Sequence, residues 1–514
     1  MSALLGEPPE SVMSAQPQVR GRLNIAAFAL LGIICMTGVL VYEQRGLHRV
    51  VPLLAGLAVV AAWTRVLTMW RSLIAFLLLV ILFVPIKRYN LPGSLPFQLE
   101  PYRVVVAALA LVWLLSALVD PRVKIRRSVF DAPLMLVLFV TLMSDLVNPE
   151  RVRPLSSDVL KGQTFFVSFF VVFYLVVSLV RTRADVQFFV RLLAIGGAII
   201  AFFAVIERRT GYNPFNHLSK LFPVLHFEGA GEQFRSGRLR VVGPSQHPIA
   251  LSVLFVILLP LVIYLVRREG RRWILVAGLY VIAIFATASR TGIIGLLVLG
   301  IVYLCLQPRA VLRAWPLAVP LLAAVHVAAP GALGTIRATL NPSAAIAEQE
   351  SVDVGNVAYG SGRLTDIGPT LSEWSNHPLL GEGFGTRIVT GLSTNARLLD
   401  NQWGDTLLET GYFGFLAWIW LFVRAGRRLG GAAAARRDTD DSWLLTGFAA
   451  SAIAFGVTMF FYDTFSFIQN VFMCFIMLGL ASAFLDVLAH ERSRVPESEG
   501  PQPAELSYRA PLST

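Results

Sequence analysis

Two groups of side chains have the types and spacing for chemistry: a set of carboxylates near residue 400 and a set of arginines at the ends of apolar runs. On a helix, Asn401, Asp405, Leu408, Glu409 and Tyr412 share one face. Four of these five are polar where a membrane span begins, an expensive arrangement unless they line a cavity. A helix cap accounts for Asp400 or Asn401, since a side-chain oxygen there satisfies free amide groups. It does not account for Asp405 and Glu409 as well.

The arginines suit an anion. Arg290 stands in TASRTG between two apolar runs with almost no loop between them. As a snorkelling anchor it would reach the interface, but so tight a turn favours a buried anion site. Arg238 and Arg240 precede VVGPSQHPIALSV, a polar turn into another apolar run. Guanidinium forks bind phosphate oxygens in bidentate fashion, and a helix start adds free N–H groups. Contact with lipid headgroups is the alternative. His247 reads as an acid or base, or as the entry residue of the helix that Pro248 opens.

The elements that must position these residues are membrane spans. The chain has 514 residues, 55% hydrophobic and 15% charged, with a mean hydropathy of +0.65, outside the range of soluble domains. Apolar runs of helical membrane-crossing length recur, and no period-two alternation suggests an outer-membrane barrel. The fold class is therefore all-α and polytopic, with about fourteen spans at roughly 23–42, 50–64, 72–86, 103–119, 131–147, 164–180, 186–206, 247–266, 272–288, 291–306, 315–330, 404–423, 443–461 and 465–487. The net charge of +12 is membrane topology, not a nucleic-acid signal. Cys35, Cys305 and Cys474 lie far apart inside apolar runs and indicate neither a disulfide framework nor a metal site.

Arg-rich loops at 121–128, 181–185, 267–272, 307–313 and 424–438 fall on one side under this count, so both termini are expected in the cytoplasm. Residues 1–22 and 488–514 read as disordered cytoplasmic tails, 23–330 as spans one to eleven, 331–403 as a large extracytoplasmic loop and 404–487 as the last three spans. Within that loop, Arg363 heads an expected amphipathic surface helix through Trp374 that Asn376-His377-Pro378 ends, and GEGFG (381–385) supplies a flexible turn.

The order RLRVVGPSQHP, TASRTG, then GR…W…PLLGEGFG and DNQWGDTLLETG resembles the O-antigen ligase and polymerase superfamily. The resemblance covers about 235 to 425 in residues and the whole chain in layout. It implies a GT-C-like helical fold with a large extracytoplasmic loop between two late helices. It also implies a glycosyltransferase that moves a saccharide from a polyprenyl diphosphate carrier to an acceptor hydroxyl, with no nucleotide sugar, metal or other cofactor. Arg240, Arg290 and Arg363, with Arg238 beside them, become the diphosphate contacts. Ligases of this family carry histidine where this chain has Asp400, which makes Asp400 the expected base, with Glu409 or Asp405 orienting the acceptor. Asn401, Trp403 and His247 are the candidate acceptor contacts.

The implied partners are the polyprenyl-diphosphate-linked donor, a glycan or glycolipid acceptor and the lipid bilayer, with a chain-length regulator or flippase as neighbours and no nucleic acid. The implied location is the bacterial cytoplasmic membrane, with the site facing outward. A flippase or other polytopic transporter is the competing reading. Against it, the two halves show no convincing repeat, and the polar groups cluster at the outer face instead of the midplane.

Overall fold

In hydrocarbon a backbone must satisfy its own polar groups, so apolar runs of this length close as helices. The computed structural model describes residues 70–92, 99–121, 123–229, 234–235, 238–328, 366–389, 394–396 and 399–494. The main helices are α1 (Trp70–Phe83), α2 (Pro101–Val119), α3 (Asp131–Val147), α4 (Ser156–Leu179), α5 (Arg183–Thr210), α6 (Pro248–Glu269), α7 (Trp273–Ala286) and α8 (Arg290–Leu306). They continue with α9 (Pro308–Val327), α10 (Ile367–Trp374), α11 (Gln402–Ala434), α12 (Asp440–Thr458) and α13 (Ile468–Arg494).

Among the described residues, eight helices are long and apolar enough to cross a membrane, and α1, α7 and α8 are shorter apolar helices. The runs expected at 23–42 and 50–64 lie outside the described residues, as do Arg363 and most of the expected large loop. Among the described residues, strand is limited to two short antiparallel pairs, Tyr89–Asn90 with His226–Phe227 and Phe234–Arg235 with Arg238–Leu239.

Helix boundaries follow local chemistry. Thr182 and Asp185 form a capping box that starts α5, and Gly211 ends it in the left-handed conformation. Pro248 opens α6, with His247 Nδ1 accepting from Ile249 N at 3.2 Å. The centre of the bundle is α6, which packs against α5, α7, α8, α12 and α13. Small residues let these helices approach: a Cβ on Gly292 would meet Ser252 at 2.7 Å, and one on Gly295 would meet Val256 at 2.9 Å.

The loops gather at two ends. At one, Arg183 pairs with Asp441 and Glu491, Gln307 donates to Ser442 at 2.9 Å, and Arg267 lies 3.8 Å from Asp440. These contacts draw together the Arg-rich segments expected on one side. At the other end, Lys87 reaches Ser466 O at 3.2 Å, Asn148 reaches Gly381 O at 2.9 Å and Phe465 N reaches Gln402 at 2.7 Å. All candidate site residues that are described lie at this second end.

Candidate active site at the broken helix

The expected continuous span from 404 is broken. Gly411 has φ 65° and ψ −164° inside α11, a backbone conformation essentially confined to glycine. Trp403 lies 5.4 Å from Phe415 and 6.2 Å from Phe422, ring to ring. A straight helix would separate positions 403 and 422 by about 28 Å. The segment 402–410 therefore folds back beside the rest of α11, and Trp403 Nε1 donates to Gly456 O of α12 at 2.9 Å. Asn401 starts this half-helix, its Oδ1 accepting from Trp403 N at 3.1 Å and Gly404 N at 3.4 Å. The cap thus falls to Asn401.

The glycine-rich turn repairs the break. In an uninterrupted helix Tyr412 N and Phe413 N would donate to Leu408 O and Glu409 O. Here they donate to Pro378 O at 2.9 Å and Leu379 O at 3.2 Å, while Glu382 N and Gly383 N take Leu408 O at 2.9 Å and Glu409 O at 3.3 Å. Two lost helical bonds are replaced by four to the turn, so no backbone group at the break is left unsatisfied by it. The approach is close enough to need glycine on both sides. A Cβ on Gly411 would lie 2.4 Å from Leu379 C, and one on Gly381 would lie 2.4 Å from Glu409 C.

The end of α3 fixes the same turn. Ser144 Oγ donates to Glu409 O at 2.5 Å and accepts from Gly383 N at 3.1 Å. Asp145 accepts from Phe384 N at 2.7 Å, and Glu409 Oε1 accepts from Gly385 N at 3.1 Å. Arg387, only 3% exposed in its side chain, joins Glu373 at 2.5 Å, Glu382 at 2.7 Å and Asp405 at 3.8 Å. Arg151 reaches the other oxygen of Glu382 at 2.6 Å. Trp374 closes the segment by donating to Pro378 O at 2.9 Å. Of the helix expected from Arg363 through Trp374, the described part is α10 (Ile367–Trp374), tied to the turn.

These elements enclose a cavity of about 460 Å³. Its carboxylates include Asp405 and Glu409 from the half-helix and Asp463 from the turn before α13, and its cations are Lys87, Arg103, Lys161 and Arg387. Phe165, Phe166 and Phe169 of α4, with Phe384 and Phe465, form an aromatic wall. The Arg103 guanidinium lies 4.3 Å from the Phe165 ring centre and 3.4 Å from Glu100. Burial raises the Asp463 carboxyl above its ordinary pKa, against hydrogen bonds from Ser466 and the charge of Lys87. Burial also lowers the Lys87 ammonium, against Asp463 and Glu100. Carboxylates facing cations beside an aromatic wall can accept a hydroxyl proton and stabilise an anion at one site.

The other candidate residues take separate positions. Asp400, expected as the base, is not among the residues lining the cavity, and neither are Asn401, Trp403, His247, Arg240 and Arg290. Arg240 and the TASRTG turn do meet: Arg240 Nε donates to Thr287 O at 3.4 Å, and Arg290 begins α8 three residues later. His247 caps α6, its ring tilted against that of Phe467 at 5.6 Å between centres. Arg238 pairs through its backbone with Arg235, and Arg363 lies outside the described residues. Sequence reasoning missed Lys87, Arg103, Lys161, Arg387, Asp463 and the phenylalanine wall. The available signal was single charges at the ends of several apolar runs, with no spacing to connect them.

No curated protein matches the chain in sequence. Residues 274–419, which contain Arg290, the glycine-rich turn, Arg387, Asp405, Glu409 and the break at Gly411, match the family model described as O-antigen ligase. The chain is thus a membrane protein that, over residues 274–419, is similar to the O-antigen ligase family.

Proposed function

We propose that the protein is a ligase- or polymerase-type membrane glycosyltransferase that moves a saccharide from a polyprenyl diphosphate carrier to an acceptor hydroxyl. The observation that carries this reading is the pair Asp405 and Glu409, set on a broken membrane helix so that both face the cations of one cavity. Irregular backbone at membrane depth is tolerated where it is buried or lines a cavity. The cavity end faces outward from the bacterial cytoplasmic membrane, and the arginine-rich end and both termini lie in the cytoplasm.

In the reaction, the acceptor oxygen forms a bond to the anomeric carbon as the carbon–oxygen bond to the diphosphate breaks, with inversion. The bonding pair leaves on the diphosphate, and the hydroxyl proton passes to a carboxylate. We place that base at Asp405 instead of Asp400, because Asp405 lines the cavity. Glu409 has one oxygen committed to Gly385 N and orients the loop and the acceptor. Arg240 and Arg290, brought to one turn, take the diphosphate, and the family motif adds Arg363 as a further contact. The phenylalanine wall receives sugar rings through their apolar faces.

Purified protein in nanodiscs, given polyprenyl-diphosphate oligosaccharide and glycan acceptor, is expected to release polyprenyl diphosphate and extend or transfer the glycan. Asp405→Asn should lower turnover by about 10²- to 10⁴-fold, the usual worth of a general base. Unchanged turnover in that variant would remove Asp405 from the role. Movement of intact carrier across the bilayer with no glycan transfer would make the protein a flippase instead.

A further inference from the structure

Lys87 lines the cavity with φ 64°, a left-handed backbone conformation that residues other than glycine seldom adopt. Such a conformation persists where its surroundings leave the chain no alternative, and it concentrates at functional sites. The surroundings here are explicit. Arg88, next in sequence and buried, donates to Asn216 at 3.0 Å, to Gly243 O at 3.0 Å and to Ser245 O. Tyr89, fully buried, donates to Phe215 O at 2.9 Å and accepts from Leu218 N at 3.0 Å. The chain is therefore locked immediately after Lys87.

Glycine would accept this backbone without strain, yet the position carries a lysine. Its Nζ donates to Ser466 O at 3.2 Å. An ammonium has three N–H donors, so two remain for the cavity. Two of the other cations there are already committed: Arg103 lies beside Glu100, and Arg387 is held by Glu373 and Glu382. The neighbouring residue adds a spatial argument. Gly243 and Ser245, which Arg88 grips, belong to the turn that follows Arg240. Consecutive side chains thus face the cavity and the arginine turn.

We propose that Lys87 contacts the substrate directly, its ammonium holding a phosphate oxygen of the lipid-linked donor where the cavity meets the arginine turn; this rests on the glycosyl-transfer reading above. As the anomeric carbon–oxygen bond breaks, the electron pair stays on the diphosphate, and Lys87 neutralises that charge without giving up a proton. The acceptor's proton goes to the carboxylate. A guanidinium at position 87 should therefore replace the ammonium in part.

The full chain in nanodiscs tests this with Lys87→Gly and Lys87→Arg. Lys87→Gly removes the charge and the strain together, so its unfolding temperature should hold or rise while kcat/KM for the donor falls at least about tenfold. Lys87→Arg, or methylamine added to Lys87→Gly, should restore part of the loss. Inorganic pyrophosphate should raise the unfolding temperature of the wild type and not that of Lys87→Gly. The proposal is overturned if Lys87→Gly retains kcat/KM within threefold of wild type, if its loss of activity tracks a lower unfolding temperature, or if pyrophosphate stabilises both proteins equally. A wild type that releases no polyprenyl diphosphate refutes the glycosyl-transfer reading, and the pyrophosphate comparison still decides whether Lys87 binds the anion.

Discussion

Replacing Gly411 with alanine should unfold the turn from the half-helix and disable the site. An alanine Cβ would sit 2.4 Å from Leu379 C and O and 2.5 Å from Leu380 N, all backbone, so no flexible side chain can yield. Holding alanine at φ 65° and ψ −164° costs about 1–3 kcal/mol before any clash is counted. The alternative is to straighten α11. That restores two helical hydrogen bonds and forfeits the four between 378–383 and 408–413, a net loss of two, or about 2 kcal/mol at a typical 1 kcal/mol each. The strain alone about cancels the 2 kcal/mol that favours the bend, and the overlap with the Leu379 and Leu380 backbone then makes the straight form the favoured one. The assay is release of polyprenyl diphosphate by purified protein, beside spin-label distances between positions 403 and 422. These should lengthen towards the roughly 28 Å of a straight helix. Gly431→Ala is the matched control: it lies in the same helix, meets nothing within 4 Å, and should be neutral or slightly stabilising. Equal activity and equal label distances in Gly411→Ala and wild type would refute the claim that the bend positions Asp405 and Glu409.

Arg387→Ala should be more damaging than a surface-arginine replacement, because it removes the buried cation shared by Glu373, Glu382 and Asp405 and leaves Glu382 with Arg151 alone. Removing one partner of a buried pair costs about 3–5 kcal/mol, so thermal unfolding in detergent should shift clearly downward, and an unshifted midpoint would refute the assignment. Asp463 supplies a pH test. Its folded pKa is raised, so the folded protein holds that proton when the unfolded chain has released it, and stability falls as pH climbs from the unfolded value of about 3.9 through the raised one. Asp463→Asn should flatten that part of the unfolding-temperature profile, and an identical slope in both proteins would count against it.

The legible parts of the site were those written as local spacing. The four-residue step from Asp405 to Glu409 puts both on one helix face, and both line the cavity. RLRVV before a helix start and TASRTG between two helices each advertise a turn, and Arg240 does reach Thr287. Helix ends were legible where a sequence-local signal stands at them: Asp131–Val147 fills the run expected at 131–147, whereas the helix from Ser156 starts eight residues before the run expected from 164, and α11 runs to Ala434, past the expected end at 423. Lys87, Lys161 and Asp463 were not legible, because each is one charge at the end of a span, where topology alone explains it. Only the packing of α4 and α13 against each other brings Lys161 and Asp463 to one cavity. The break at Gly411 was hidden by composition: ETGYFG continues an apolar helical pattern, and nothing local shows that Leu379 will press against it.

That hidden contact explains why the glycine-rich turn and the carboxylate helix belong to one matched segment. Each is incomplete alone. The turn presents backbone donors at Glu382 and Gly383 and acceptors at Pro378 and Leu379, and the half-helix presents the complementary groups at 408–413. Their pairing sets Gly385 N on the Glu409 carboxylate and Arg387 beside Asp405, so the backbone that repairs the helix also orients the side chains that face the cavity. A change in the turn should then act on the carboxylates through main-chain geometry, apart from Phe384, whose ring lines the cavity. Fold and site are specified by the same four hydrogen bonds, which is why irregular backbone can persist at the end of a membrane span.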